Sequence, residues 1–280
     1  HIEAPLLTRA TFDRQGNRLF KADLDTNHWV FNEHRTKQNQ ALFPGTGYLE
    51  LAAEALAAQG EGGAFELRDL YFLRPLDLAG EGRRELRVTL SRSDTGYAFK
   101  VQSSREVEGL TGFETNATGE IVLMEMRQPP ALDIGAALGR CPQRRRAEAG
   151  RSLRSPQEAH LNFGPRWRVL KDIALGQGEG LARLTLASAA ASDLATGWAI
   201  ELIEGYTPSH LWVPVSYGAF RVYRPLPDKL ISWVQTLGEN RAEAGSASFD
   251  IVLCDPSGEV CAEVRGFSIR RLEKTDGFGL

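Results

Sequence analysis

The pattern of hydrophobic and polar positions predicts one unusually apolar helix in the first half of the chain. Residues 46–58 directly follow Pro44-Gly45, are rich in helix formers, and end before Gly60. Glu50 and Glu54 are the only charged residues in this segment, and their spacing of four places them on one narrow stripe. A helix that is apolar around most of its circumference is normally enclosed by other elements, so we expect it to be mostly buried.

A second helix of the same character is predicted for residues 193–204. Asp193, Glu201 and Glu204 are its only charged residues, and Gly205 closes it. The two helices start about 150 positions apart, and each precedes four segments with strand character, which indicates an internal duplication. The predicted strands are 67–73, 85–90, 97–101 and 117–123 in the first half, and 212–222, 230–237, 246–254 and 260–269 in the second. We therefore predict an α+β fold, with a buried helix wrapped by an antiparallel sheet and the whole arrangement repeated once.

The segment between the two halves has neither pattern. Residues 126–158 contain Pro129-Pro130, an arginine triplet at 144–146 and several small residues, without a sustained period of two. We interpret this segment as a linker with one short helix, joining halves at residues 1–125 and 159–280. A solvated linker is the simpler explanation of the triplet, and a surface for an acidic partner is the alternative.

Composition narrows the classes of function. The chain has 33 Lys and Arg against 36 Asp and Glu, a balance that argues against a nucleic-acid partner. Cys141, Cys254 and Cys261 match neither a zinc template nor a disulfide framework, which is typical of the reducing cytoplasm. No signal peptide, membrane-spanning apolar stretch or clustered metal-ligand set is visible. Because the chain opens with His1 rather than Met, we expect it to be a piece of a longer protein.

Two side chains are candidates for chemistry. His34 lies in a polar segment that leads into the N-terminus of the first helix, where unpaired amides can bind an oxyanion or a polarised carbonyl. Asp193 opens the second helix directly after Ser192. Taken alone, His34 has the simpler interpretation of an exposed loop histidine, and Asp193 that of a helix cap. If the two halves pack pseudo-symmetrically, the two side chains instead meet in a shared cleft as a base and an acid.

Four segments, in order, resemble the motifs of polyketide synthase dehydratase domains. Residues 43–52 behind His34 resemble the first active-site motif, and residues 162–167 resemble the family's Tyr-Gly-Pro motif with Phe in place of Tyr. Asp193 and the helix after it are similar to the second catalytic motif, and residues 210–214 fall where the family has a Leu-Pro motif that lines the cleft. The resemblance covers nearly the whole chain and implies a double hotdog fold, with the two apolar helices buried in tandem antiparallel sheets.

The resemblance also implies a reaction, the elimination of water from a β-hydroxyacyl thioester carried by an acyl carrier protein. His34 would remove the α-proton and Asp193 would protonate the departing hydroxyl, while amides near Gly45 and Thr46 would bind the thioester carbonyl. An apolar cleft rimmed by Leu194 and Trp198 would favour the protonated carboxyl. The substrate-binding residues implied by the motifs are Pro44, Gly45, Thr46, Phe163, Gly164, Pro165, Gly197, Trp198, Leu211, Trp212 and Pro214.

The expected cofactors and protein partners follow from the same resemblance. No metal and no bound cofactor is implied, because the phosphopantetheine arm belongs to the acyl carrier protein. The carrier and the neighbouring polyketide synthase domains are the expected partners. The oligomeric state stays open, with a homodimer as one candidate.

The sequence departs from the family pattern around both candidate residues. Pro44 lies ten residues after His34 where nine are usual, and Gln38 or Asn39 replaces an expected glycine, so the loop is one residue longer. Residues 188–192 lack the usual His-Pro pair, and Gly197 stands where Gln or His usually partners the acid. The absent partner motivates one alternative, a dehydratase-like domain that shifts a double bond or closes a pyran ring by conjugate addition. A catalytically silent hotdog domain, kept for dimerisation or carrier docking, is the other.

Overall fold

Two antiparallel sheets form the framework of the fold in the computed structural model, which describes residues 1–78, 82–186 and 193–273. The α-helices of this part of the chain are α1 (Trp29–Asn32), α2 (Gly47–Ala58), α3 (Ile134–Gly139) and α4 (Asp193–Gly197). The strands are β1 (Arg9–Phe12), β2 (Arg18–Asp25), β3 (His34–Thr36), β4 (Ala41–Leu42), β5 (Phe65–Phe72), β6 (Asp77–Leu78), β7 (Arg83–Arg92), β8 (Gly96–Val107), β9 (Leu110–Val122), β10 (Gln143–Arg146), β11 (Leu161–Phe163), β12 (Leu170–Leu175), β13 (Glu179–Thr185), β14 (Trp212–Val222), β15 (Lys229–Thr236), β16 (Ser246–Cys254) and β17 (Val260–Arg271). Among these residues, no helix has both the length and the apolar character needed to cross a membrane.

The larger sheet repeats one strand order on either side of a central seam. Its order is β1-β2-β7-β8-β9-β5-β14-β17-β16-β15-β13-β12-β10. At the seam, β5 pairs with β14, so that Leu67 lies opposite Phe220 and Tyr71 lies opposite Ser216. In each half the seam strand is the one that follows the buried helix, and its neighbour is the last strand of that half. The duplication predicted from the sequence therefore appears as a matching strand order.

Helix α2 is buried, as its sparse charge predicts. It ends where predicted, and Gly60 follows it in the left-handed conformation (φ 79°) that a glycine adopts without strain. The carboxylate of Glu54 is buried as well and accepts hydrogen bonds from the amides of Leu6 (3.0 Å) and Leu7 (2.7 Å). Burial raises the pKa of Glu54 to about 7. The fully buried side chains of α2 are Leu51, Ala52, Ala55 and Leu56.

The second buried helix differs from the prediction of one continuous α-helix. Helix α4 is followed directly by a 3₁₀ turn over Trp198–Leu202, although the buried positions fall where expected. Two features favour the tighter winding: Gly197 has low helix propensity, and the hydroxyl of Ser232 donates to the carbonyl of Ala195 (2.6 Å) from outside the helix. Ser192, which precedes Asp193, lies outside the described residues together with the rest of the 188–192 segment.

The predicted linker contributes to the larger sheet. It contains the short helix α3, as expected, but also β10, which pairs with β12 so that Arg146 lies opposite Asp172. The arginine triplet therefore belongs to an edge strand, and its side chains are exposed to solvent. Arg145 forms an ion pair with Glu201, and Arg146 forms one with Asp172 (2.5 Å). Both guanidinium groups are therefore paired with carboxylates of the same chain. The half boundaries at residues 125 and 159 stay a prediction.

Candidate active site

His34 is the first residue of β3 and lies inside the protein rather than on an exposed loop. It is only 8% exposed, and its ring stacks on Phe163 of β11, the residue paired with it in the smaller sheet. The imidazole Nδ1 donates a hydrogen bond to the carbonyl oxygen of Leu42 (2.9 Å). Because this bond fixes the proton on Nδ1, the other ring nitrogen, Nε2, is left as a free proton acceptor.

The segment after His34 folds as a tight hairpin between β3 and β4. Asn39 has a positive φ of 66°, in the left-handed region that asparagine tolerates better than other residues with side chains. Its amide donates to the carbonyl of Thr36 (2.9 Å) and closes the turn. Of the two candidates for the position of the family's glycine, Gln38 and Asn39, it is Asn39 that adopts a conformation favouring glycine.

Asp193 faces His34 from the second half of the chain. Its Oδ2 lies 4.0 Å from Nε2 of His34, so the base and acid candidates converge although 158 residues separate them in sequence. The carboxylate is held by two side-chain donors. Thr46 Oγ1 donates to Oδ1 (3.2 Å), and the indole nitrogen of Trp167 donates to Oδ2 (3.5 Å). Thr46 precedes α2 but makes no side-chain cap bond to that helix, because its hydroxyl reaches Asp193 instead.

Burial sets the charge state of the histidine. Desolvation lowers the pKa of His34 from its ordinary value of 6.5, against the opposing effects of Asp193 and the hydrogen bond to Leu42. The imidazole is therefore neutral at neutral pH, with its basic nitrogen directed at the carboxyl of Asp193.

A cavity of about 540 Å³ opens at this pair and is lined from both halves of the chain. Its walls are mainly apolar, so it suits an acyl chain better than a strongly polar substrate. Six of the eleven predicted substrate-binding residues line it, namely Gly45, Phe163, Gly197, Leu211, Trp212 and Pro214. Leu194 also lines it, as predicted.

The other five predicted substrate-binding residues are not among those that line the cavity. They are Pro44, Thr46, Gly164, Pro165 and Trp198. Trp198, expected at the rim of the cleft, is only 1% exposed and belongs to the core, where its indole donates to Ser232 Oγ (2.9 Å). Pro44 is buried, and its carbonyl accepts the amide of Gly47 at the first turn of α2 (2.9 Å).

Gly164 and Pro165 hold the strand that carries His34. The amide of Gly164 donates to the carbonyl of Glu33 (2.9 Å), next to the histidine. The Glu33 carboxylate also accepts the amide of Arg166 (2.8 Å) and forms an ion pair with its guanidinium. Pro165 then starts the 3₁₀ turn Pro165–Trp167, which brings Trp167 to His34 and Asp193. These two motif residues therefore position the site and do not line it.

Replacing Gly164 with alanine should destabilise the fold and disturb the site. A Cβ at this position would overlap the side chain of Glu33, and moving Glu33 would displace the strand that begins with His34. We expect a loss of about 1–3 kcal/mol in the free energy of unfolding, measured by denaturant titration. Gly63→Ala is the matched control, because no atom lies within 4 Å of a Cβ there. Equal stability of the two variants would contradict this account of Gly164.

Sequence reasoning missed two groups that shape the site. Trp167 was part of a recognised motif, but nothing in its local pattern pointed to Asp193. Gln157 clamps the backbone of Trp212 from both sides, since its amide donates to the carbonyl (2.7 Å) and its oxygen accepts the N–H (3.3 Å). These two bonds fix one wall of the cavity.

Three further histidines, apart from His1, take part in ordinary structural hydrogen bonds: His28, His160 and His210.

Two family models match the chain. One, described as polyketide synthase dehydratase domain, matches residues 4–104, and the other, described as polyketide synthase dehydratase N-terminal domain, matches residues 136–277. The chain belongs to the polyketide synthase dehydratase family. This dehydratase domain is 24% identical to polyketide synthase PksM of Bacillus subtilis (strain 168), an alignment that covers 98% of the domain and 7% of PksM. It is 25% identical to polyketide synthase ThaG of Burkholderia thailandensis, over 91% of the domain and 4% of ThaG. The domain thus spans less than a tenth of these relatives.

Solved structures confirm the predicted double hotdog fold of the dehydratase domain. A trans-AT polyketide synthase dehydratase domain from Brevibacillus brevis superimposes with a TM-score of 0.81 at 19% identity, covering 97% of this domain and 99% of that chain. The dehydratase domain from the CurJ module of the curacin polyketide synthase superimposes with a TM-score of 0.79 at 20% identity, covering 96% of each.

Proposed function

We propose that this dehydratase domain removes water from a β-hydroxyacyl thioester and yields an α,β-unsaturated thioester. The observation that carries the proposal is the pair formed by His34 and Asp193, 4.0 Å apart at the head of an apolar cavity. A neutral base and a carboxyl on either side of one substrate supply the two proton transfers that such an elimination needs. The cavity lining matches the apolar character of an acyl chain.

His34 acts as the base in this mechanism. Its Nε2 is unprotonated because Nδ1 donates to Leu42, and burial lowers the pKa of the ring, so the base is ready at neutral pH. The nitrogen removes the proton on the carbon next to the thioester carbonyl. The ring stacks on Phe163, which holds it in one orientation. Less conformational freedom therefore has to be lost when the proton is transferred.

The N-terminus of α2 stabilises the charge that develops on the thioester oxygen. Among the described residues, the amides of Gly45 and Thr46 donate to no other group, and Gly45 lines the cavity. Unpaired amides at a helix start carry partial positive charge and can donate to an enolate oxygen. A glycine here keeps the approach open, because a Cβ would lie 3.1 Å from the Pro214 ring on the opposite wall.

Asp193 acts as the acid. As the carbon–hydrogen electrons form the new double bond, the carbon–oxygen bond breaks and the hydroxyl takes the carboxyl proton to leave as water. His34 then holds the proton from the α-carbon, and Asp193 is a carboxylate. Return of that proton across the 4.0 Å gap, directly or through the product water, restores the pair for the next turnover.

Neither alternative has comparable support. The double-bond shift or ring closure was motivated by the missing partner at position 197, but Thr46 and Trp167 both donate to Asp193. A silent domain has no need for a neutral histidine and a carboxyl facing each other in a cavity.

Glycine at position 197 leaves open space beside the acid, since a Cβ there would meet only Leu194 (3.8 Å).

The product of the purified domain tests the proposal. We expect incubation with a β-hydroxyacyl thioester on an acyl carrier protein to remove the mass of one water and to create the absorbance of a conjugated enoyl thioester. The carrier without an acyl chain is the control. A product that lacks conjugation would support the double-bond shift or ring closure, and an unchanged substrate would support the silent domain.

The partners and location are part of the same proposal. The proposed steps use only groups of this chain and its substrate, and the phosphopantetheine arm would arrive with the carrier protein. Neighbouring polyketide synthase domains would supply and consume the acyl chain. A homodimer through the exposed edge strand β1 is tested by the molar mass of the domain in solution. A cytoplasmic location fits the three buried, free cysteines.

A further inference from the structure

One buried tryptophan contacts both members of the catalytic pair. Trp167 is only 1% exposed, and its indole nitrogen donates to Oδ2 of Asp193 (3.5 Å). Its ring also packs on His34, with 5.6 Å between the ring centroids, and stacks on Phe163 at 6.2 Å. The same side chain therefore touches the acid through a polar bond and the base through an apolar face.

The rest of the surroundings leaves Asp193 dependent on this contact. Thr46 reaches Oδ1, so Oδ2, the oxygen nearest to His34, has Trp167 as its side-chain donor among the described residues. One helical turn further on, position 197 is a glycine that lines the cavity and offers no donor. Without the indole N–H, the oxygen that faces the base would be free to rotate away from it.

The position of Trp167 is itself rigid. The turn Pro165–Trp167 begins at Gly164, which packs tightly against Glu33, and the amide of Trp167 donates to the carbonyl of Gly164 (3.1 Å). The ion pair between Arg166 and Glu33 fastens the same turn to the strand of His34. Donor and base are thus held together through the pairing of β11 with β3, and α4 brings the acid to them.

We propose that Trp167 is a positioning residue, whose indole N–H and the Thr46 hydroxyl together hold the Asp193 carboxyl for proton delivery, in place of a side chain at position 197. This inference rests on the proposed function. As the proton leaves, both donors face a carboxylate, and hydrogen bonds to a charged oxygen are stronger than those to a neutral one. The two donors therefore favour the transition state over the bound substrate.

The variant Trp167→Phe tests the role, because it keeps an aromatic ring against His34 and removes only the donor. We expect kcat to fall about tenfold, as for the loss of one hydrogen bond to a charged group, with KM changed less than about twofold. Trp29→Phe is the matched control, since Trp29 neighbours Trp167 at 6.5 Å and should leave activity unchanged. Adding Gly197→Gln to Trp167→Phe should recover most of the lost kcat, because residues four apart share a helix face.

A second measurement does not depend on turnover. The chain has five tryptophans, and the indole N–H resonance of Trp167 can be assigned by its disappearance in Trp167→Phe. We expect Asp193→Asn to move this resonance more than the other four. A resonance that does not move overturns the contact whatever the activity, and unchanged kcat in Trp167→Phe overturns the positioning role. A wild-type domain that does not dehydrate its substrate would instead refute the proposed function, and the resonance would still decide the contact.

Discussion

Replacing His34 with glutamine should lower kcat by about 10²–10⁴-fold, the usual loss when a positioned base is removed. Glutamine is preferable to alanine because the ring is buried against Phe163 and Trp167, and alanine would leave a cavity there. The glutamine amide can still donate to the Leu42 carbonyl but cannot accept a proton near neutral pH. Single-turnover rates on a carrier-bound substrate measure the effect.

A matched control and a pH profile separate the base from a packing role. His160→Gln changes a half-buried histidine that contacts the carbonyl of Pro208 and does not line the cavity, so it should leave the rate unchanged. In the wild type, activity is lost as the base becomes protonated, and burial lowers the pKa of His34. The acidic limb of kcat/KM should therefore lie below pH 6.5 and be absent from the residual activity of His34→Gln. Wild-type turnover in His34→Gln would remove His34 from the mechanism.

Asp193→Asn should lower turnover by about 10²-fold or more while leaving the fold intact. Asparagine begins a helix about as well as aspartate, so the variant keeps any capping role. The amide cannot deliver a proton, so the hydroxyl would have to leave unassisted. Turnover of the β-hydroxyacyl thioester and the melting temperature, measured on the same preparation, separate these two effects.

Asp133→Asn provides the matched control for Asp193→Asn. Asp133 caps α3 through a hydrogen bond from the amide of Ala136 (2.9 Å) and is not among the residues that line the cavity. Both variants should melt close to the wild type, and only Asp193→Asn should lose activity. A folded Asp193→Asn variant that dehydrates at the wild-type rate would reduce this carboxyl to a helix cap.

The sequence predicted what depends on local pattern. The apolar helix α2 and the strands β14 and β16 lie where their periodicity indicates, because the side chains that form their buried faces are close in sequence. The strands of the smaller sheet are only two or three residues long, too short to show a period of two. Strand β2 was missed although charged and buried residues alternate over its second half, a pattern that favours a strand.

The two reacting groups of the site could be predicted from the sequence, but the residues that hold them in place could not. Asp193 could be identified because it opens an apolar helix, and His34 because the segment that contains it leads into the other apolar helix. The bond between Thr46 and Asp193 joins residues 147 positions apart, and no spacing rule foretells it. Trp198 was misplaced at the cleft, because the sequence does not reveal that its indole finds a partner in Ser232 of a distant strand.

The pairing of β5 with β14 at the seam has a consequence for the nascent chain. On the ribosome, β5 emerges well over a hundred residues before the strand that covers its open edge. Until then one edge of β5 has no partner strand, although its other edge can pair with β9 of the first half, and its side chains include Leu67 and Leu70, which end up fully buried. Such an edge is a template for pairing with another chain. Translation speed across the second half, or a chaperone that shields this edge, would decide how much of the domain reaches its native state.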